Sequence, residues 1–244
     1  MKKFTFFLGG YDAEMCEIRI ILEQSNCQFY DKQLAWGAKL SSYEQELKQV
    51  KDSIPVLIEL NIDITYPPNS VILDHHGERA GKDKPTSIEQ LAKLLRLELS
   101  YWQKLIAAND RGWIDELVEI GATKKEIQLI RQYDRRCQGV TDKEEKAAEK
   151  AITKLKYEEN LAVIDYQLEH TSPIIDRLYG QYPNILIFTP KTTEFYGNGS
   201  VIQELAKQFQ ECWYGGQLPE KGYWGISFKN LIVQEVITKT LKEV

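Results

Sequence analysis

The stretch IPVLIEL, residues 54–60, constrains the fold more than any other part of this chain. Its apolar residues do not alternate with polar ones, so a strand built from them must be covered on both faces. Such strands belong to parallel sheets packed between helices, and their neighbours are reached by crossover connections. The flanking sequence supplies both. KFTFFL, residues 3–8, is a compact apolar run stopped by Gly9-Gly10, and predicts a first strand. Residues 13–24 place Met15, Ile18, Ile21 and Leu22 on one face of a helix. CQFYDKQ, from Cys27, predicts a second strand, and residues 42–50 a polar helix. A turn at Pro67-Pro68-Asn69 leads to the short strand VIL, 71–73, which ends on Asp74.

From Thr86 the period becomes helical. TSIEQLAKLLRLEL opens on a Thr-Ser cap and YWQKLIAAND continues it, with further helices expected at 123–135 and 141–157. Strands return at 161–166, 185–190 and 193–198, followed by a helix over 200–211, a strand over 223–228 and a last helix to Val244. Alternating strands and helices predict an α/β fold. The expected organisation is a parallel-sheet N-terminal domain over 1–115, a helical connector over 116–158 and a smaller C-terminal α/β domain over 159–244. There is no internal repeat.

With 43% hydrophobic and 27% charged residues, the composition is that of a soluble chain with a real core. No apolar run approaches the length of a membrane span. The apolar segment after Lys2 and Lys3 meets Asp12 and Glu14 at once, so it reads as a strand and not as a signal peptide. Cys16, Cys27, Cys137 and Cys212 lie far apart, which suits reduced thiols and a cytoplasmic location. The net charge of −5 argues against a broad surface for long nucleic acid.

The chain has three histidines, and two of them stand together in VILDHHGER, residues 71–79. Ligands gather at the carboxyl ends of parallel strands, and each predicted strand here ends near an acid. After the first come Asp12 and Glu14, IPVLI runs into Glu59, and VIL runs into Asp74-His75-His76. Asp110 closes a later helical segment in AANDRGW. Carboxylates and imidazoles converging from several strand ends suit a divalent ion such as Mn2+ or Mg2+. Taken singly, each has a plainer reading. Asp12 and Glu14 suit the first turn of any helix, Asp110 suits a turn, and Tyr133-Asp134-Arg135-Arg136 reads as a solvated helical face.

The ordered series resembles the DHH phosphoesterase superfamily. The resemblance sets Gly10-Tyr11-Asp12-Ala13-Glu14, then Glu59, then Asp74-His75-His76, then Asp110 against the acidic positions of that family, with residues 84–95 as the helix after DHH. The departures are Gly10 where the family has a histidine, Glu14 and Glu59 where it has aspartates, and Gln217 where a glycine-rich segment would end in histidine. The resemblance implies that Asp12, Glu14, Glu59, His75 and Asp110 are metal ligands. It also implies that Asp74 orients His75, and that His76 faces the substrate phosphate or the attacking water. Arg111, Gly215, Gly216 and Gln217 would contact substrate. The function it implies is metal-dependent hydrolysis of a small phosphodiester or phosphoanhydride (a short oligonucleotide, a dinucleotide or pyrophosphate) in an inter-domain cleft, with Mn2+ preferred to Mg2+. The alternative is a non-catalytic DHH-like protein that binds a nucleotide or a partner.

Overall fold

A computed structural model of the chain describes residues 3–243, so Met1, Lys2 and Val244, the predicted end of the last helix, lie outside the described residues. The chain divides into two compact units between Gly139 and Val140. The stretch 116–158, expected as a connector, is split between them.

The first unit contains β1 (Phe4–Leu8), α1 (Ala13–Gln24), β2 (Gln28–Tyr30), α2 (Glu44–Gln49), β3 (Ile54–Ile58), β4 (Val71–Leu73), α3 (Ser87–Leu95), α4 (Tyr101–Glu119) and α5 (Lys124–Cys137). Short 3-10 turns at Leu40–Tyr43 and Gly77–Arg79 complete it. The sheet runs β2-β1-β3-β4 and every pairing is parallel. Phe6, Leu8, Val56 and Ile58 point to the face covered by Met15, Ile18, Leu22, Ile88 and Leu91. Phe7 and Leu57 point to the other, against Leu40, Tyr43 and Leu47. Both faces are apolar, which is why neither β1 nor β3 alternates in sequence.

The helical stretch after Thr86 is two helices rather than one. Arg96 ends α3 in the left-handed conformation, at φ 57°. Ser100 then caps α4, with Gln103 closing a capping box back onto it. Within α4 the helical geometry breaks at Gly112 (φ −154°) and Trp113 (φ 55°), directly after Asp110-Arg111.

The second unit contains α6 (Asp142–Ile152), β5 (Lys156–Glu158), β6 (Leu161–Asp165), α7 (Ser172–Leu178), β7 (Ile185–Phe188), β8 (Thr193–Asn198), α8 (Gly199–Gln208), β9 (Trp213–Gln217), β10 (Lys221–Ile226) and α9 (Ile232–Leu241). Its sheet, β5-β6-β7-β8-β10-β9, is mixed: β6 and β7 pair in parallel and the other pairings are antiparallel. Its core is built on Phe188, Phe195, Val201, Leu205 and Trp224. The helix expected over 141–157 stops at Ile152, and its last residues form the edge strand β5. All four cysteines are free thiols. No helix among the described residues is long and apolar enough to cross a membrane.

Candidate metal centre

In the first unit the chain leaves β1 for β2 on one side and returns to β3 on the other. The carboxyl ends of β1 and β3 therefore flank a point where the winding direction reverses, the place where open α/β sheets hold ligands. Two glycines shape it. A Cβ on Gly9 would lie 2.1 Å from the Glu59 carbonyl oxygen, so only glycine lets the end of β3 fold over the end of β1. Glu59 adopts φ 50° there, a conformation that non-glycine residues rarely take, and its N–H is held by the Leu73 carbonyl at 3.0 Å. A Cβ on Gly10 would stand 3.2 Å from the Trp36 Cα, so the 35–37 segment sits against the position where the resemblance places a histidine.

Glu59, His76 and Asp110 each bring a ligand atom to one place, with these atoms all within 4.8 Å of one another. Glu59 comes from the end of β3, His76 from the segment after β4, and Asp110 from the turn of α4 just before its break. The Glu59 side chain is buried at 7% exposure, whereas that of His76 is 42% exposed and meets solvent. Asp74 holds His76 in position. Its Oδ1 accepts the His76 backbone N–H at 2.9 Å and lies 3.3 Å from the ring Nδ1. Its Oδ2 accepts from Arg79 at 2.7 Å.

Asp12 and Glu14 line the same region from α1. Asp12 is the N-cap of that helix, accepting the Met15 N–H at 2.8 Å. Burial, together with the charge of Glu59, pushes its carboxyl up to about 8. Glu14 is fully buried and accepts the Ile88 N–H at 3.0 Å. Burial and the charges of Asp110 and Glu59 hold it well above the ordinary carboxylate range. Asp110 is raised in the same way, by burial and then by Glu59, Asp12 and Asp134, against a smaller opposing effect of Arg111. Glu14 Oε2, Glu59 Oε1 and Asp110 Oδ2 are buried with no N–H or hydroxyl donating to them, and the Glu14 and Glu59 carboxyls stand within hydrogen-bond reach of each other. Orphaned buried oxygens are rare. Three of them among four mutually repelling carboxyls fit a place that takes a cation.

Of the two histidines it is His76, expected at the substrate phosphate, that joins the acids, and His75, expected on the metal, that does not. His75 is buried at 5% exposure, reaches the Pro85 carbonyl and lies outside the 4.8 Å group. Burial holds its imidazole below the usual value. Asp74 orients His76 rather than His75. Successive residues of an extended segment point to opposite sides, so only one of an adjacent pair can face the acids. Arg111, expected on substrate, is engaged structurally: it pairs with Glu89 and Glu116 and donates to the Lys84 carbonyl. Gly215, Gly216 and Gln217 are not a loop but part of β9, paired with Tyr223, Gly222 and Lys221 of β10. A Cβ on Gly216 would meet the Gly222 Cα at 2.5 Å, so close strand approach accounts for that glycine.

Two features were not foreseen. Asp134 is buried, not solvated, and its Oδ1 accepts the Ala13 N–H at 3.1 Å beside Asp12. Arg131, also buried, bridges Asp134 (2.7 Å) and Asn109 (2.8 Å). The i, i+3, i+4 spacing of Arg131, Asp134 and Arg135 marks a polar face turned inward. Trp36, beside the centre, carried no motif at all.

No family model matches the sequence, and no curated protein matches it. Solved structures do. The RecJ of Thermus thermophilus in complex with Mg2+ aligns over 99% of this chain and 50% of its own length, at 11% identity and a TM-score of 0.52. This chain thus spans half of that protein. A pGpG-specific phosphodiesterase, PggH, from Vibrio cholerae aligns over 99% of this chain and 98% of its own, at 12% identity and a TM-score of 0.48. An exopolyphosphatase-related protein from Bacteroides fragilis aligns over 99% and 92%, at 9% identity and a TM-score of 0.47. At such identities the RecJ likeness speaks for the fold alone. The first unit's parallel sheet, with Asp74-His75-His76 directly after β4, belongs to a chain that shares its fold with that RecJ.

Proposed function

We propose that the chain is a metal-dependent phosphoesterase that hydrolyses a small phosphodiester or phosphoanhydride at the Glu59–His76–Asp110 centre. The observation that carries this is the convergence of those three side chains, with buried carboxylate oxygens to which no N–H or hydroxyl donates. Mixed carboxylate and imidazole donors suit Mn2+ ahead of Mg2+, and the RecJ neighbour was solved with Mg2+. A divalent ion held there supplies Lewis-acid polarisation of a phosphoryl oxygen and a bound water of lowered pKa. The residues of the chain do the rest. Glu59, His76 and Asp110 would hold the cation, and its charge would draw the raised carboxyls of Asp12 and Glu14 toward their ionised forms. His76 faces solvent, where a phosphate can reach it, and Asp74 fixes its ring with the help of Arg79.

Elemental analysis and Mn2+-dependent hydrolysis of the dinucleotide pApA and of pyrophosphate test this. Stoichiometric metal and turnover are expected in the wild type, with turnover falling at least about a hundredfold in His76→Ala and Asp110→Asn. Absence of both metal and turnover across that panel would sink the proposal. The packing of the 35–37 segment against Gly10 favours one second reading, a protein that binds the cation and a nucleotide without turnover. Metal and pApA binding with no hydrolysis would establish it.

A further inference from the structure

Trp36 has the greatest exposure, 83%, among the exposed large hydrophobic side chains of the described residues. A lone exposed indole needs no explanation by itself. This one is held in place beside the candidate centre. The Gly37 carbonyl accepts from Asn61 Nδ2 at 3.1 Å, the Ala38 carbonyl accepts the Asn61 N–H at 2.8 Å, and the Leu40 N–H donates to the Asn61 carbonyl at 2.9 Å. Asn61 follows Glu59 by two residues, so the segment is tied to the same strand end that delivers Glu59. On its other side the Trp36 backbone rests against Gly10. The ring lies 6.4 Å from that of His76 and nearly perpendicular to it, at 82°. A backbone tied to the end of β3 thus presents an open aromatic ring beside the side chain that would face a phosphate.

We propose that Trp36 is a stacking platform for the nucleobase of the substrate, which makes that substrate a nucleotide and not an inorganic phosphoanhydride. The inference rests on the phosphoesterase reading of the neighbouring centre and deepens it. A phosphate at the centre sets the rest of a nucleotide one ribose away, on the scale of the His76–Trp36 separation. Every base offers a flat π-face to an indole, so such a platform selects for a base without selecting which one. Pyrophosphate has no ring and gains nothing from Trp36.

The test is equilibrium binding of 5′-AMP and of inorganic pyrophosphate, both with Mn2+, to the wild type, Trp36→Ala and Trp36→Phe. Because the side chain is exposed, both variants should fold and carry the wild-type metal content. Trp36→Ala should weaken AMP about tenfold to a hundredfold, Trp36→Phe should stay within a few-fold, and pyrophosphate should bind all three alike. The proposal is overturned if AMP does not bind the wild type, if it binds Trp36→Ala equally well, or if AMP and pyrophosphate weaken in parallel. Failure of the phosphoesterase reading looks different: the wild type turns nothing over, yet AMP binding still depends on Trp36. Failure of the stacking inference leaves pApA hydrolysis intact and indifferent to Trp36→Ala.

Discussion

A carboxylate buried among other carboxylates is held there against its own electrostatics, and Asp110 carries that load most plainly. Its Oδ2 has no donor to it, and burial, followed by the charges of three neighbouring acids, raises its pKa. Near neutral pH, Asp110→Asn removes the cost of keeping that carboxyl protonated, with little change of shape. The metal-free variant should therefore melt a few degrees above the metal-free wild type, by about 1 kcal/mol. Saturating Mn2+ should raise the melting temperature of the wild type, by about 3 kcal/mol at a hundredfold excess over Kd, and leave the variant unmoved. Thermal scans in EDTA and in Mn2+ check both halves, and an Asn variant that still responds to Mn2+ would remove Asp110 from the ligand set. At this scale the scarcity of histidine made 75–76 legible as a site, but not which ring would face the acids. That depends on the rotation of a short extended segment, which VILDHHGER does not encode locally. Trp36 was illegible for a related reason, since its neighbours reach Asn61 and Gly10 only through the tertiary fold.

Among the elements, β1, α1 and β3 were read from sequence because their apolar patterns report burial directly. The pattern of α5 misled, because its inward face is charged. Arg131, Asp134 and Arg135 are all buried, and Asp134 reaches across to the first N–H of α1. Helix α5 thus anchors the turn that carries Asp12. Asp134→Ala takes one carboxylate partner from the buried Arg131 guanidinium and the acceptor from the Ala13 N–H, and should cost about 3 kcal/mol in denaturant unfolding. Asp134→Asn keeps an acceptor for Ala13 and should cost visibly less. Equal losses in the two variants would show that only the charge matters. Strand β9 was missed because its two glycines carry no strand propensity, although the pairing with β10 demands one of them.

The whole first unit brings together residues 12–14, 59, 76 and 110, which no local motif joins. Their order along the chain was still legible as topology, because a parallel sheet collects successive strand ends on one edge. A cation bound there should slow amide exchange together at residues 9–16, 57–61, 73–78 and 108–112. Exchange measured by mass spectrometry with and without Mn2+ checks this, and protection confined to a single segment would speak against a shared centre. The close approach of Gly10 to Trp36 also limits how this chain can change. A side chain introduced at position 10 brings its Cβ to 3.2 Å from the Trp36 Cα, so the 35–36 backbone must give by a few tenths of an ångström to admit it. Position 10 and the 35–36 backbone therefore share one space, and the bulk admitted at the first is set by how far the second can draw back.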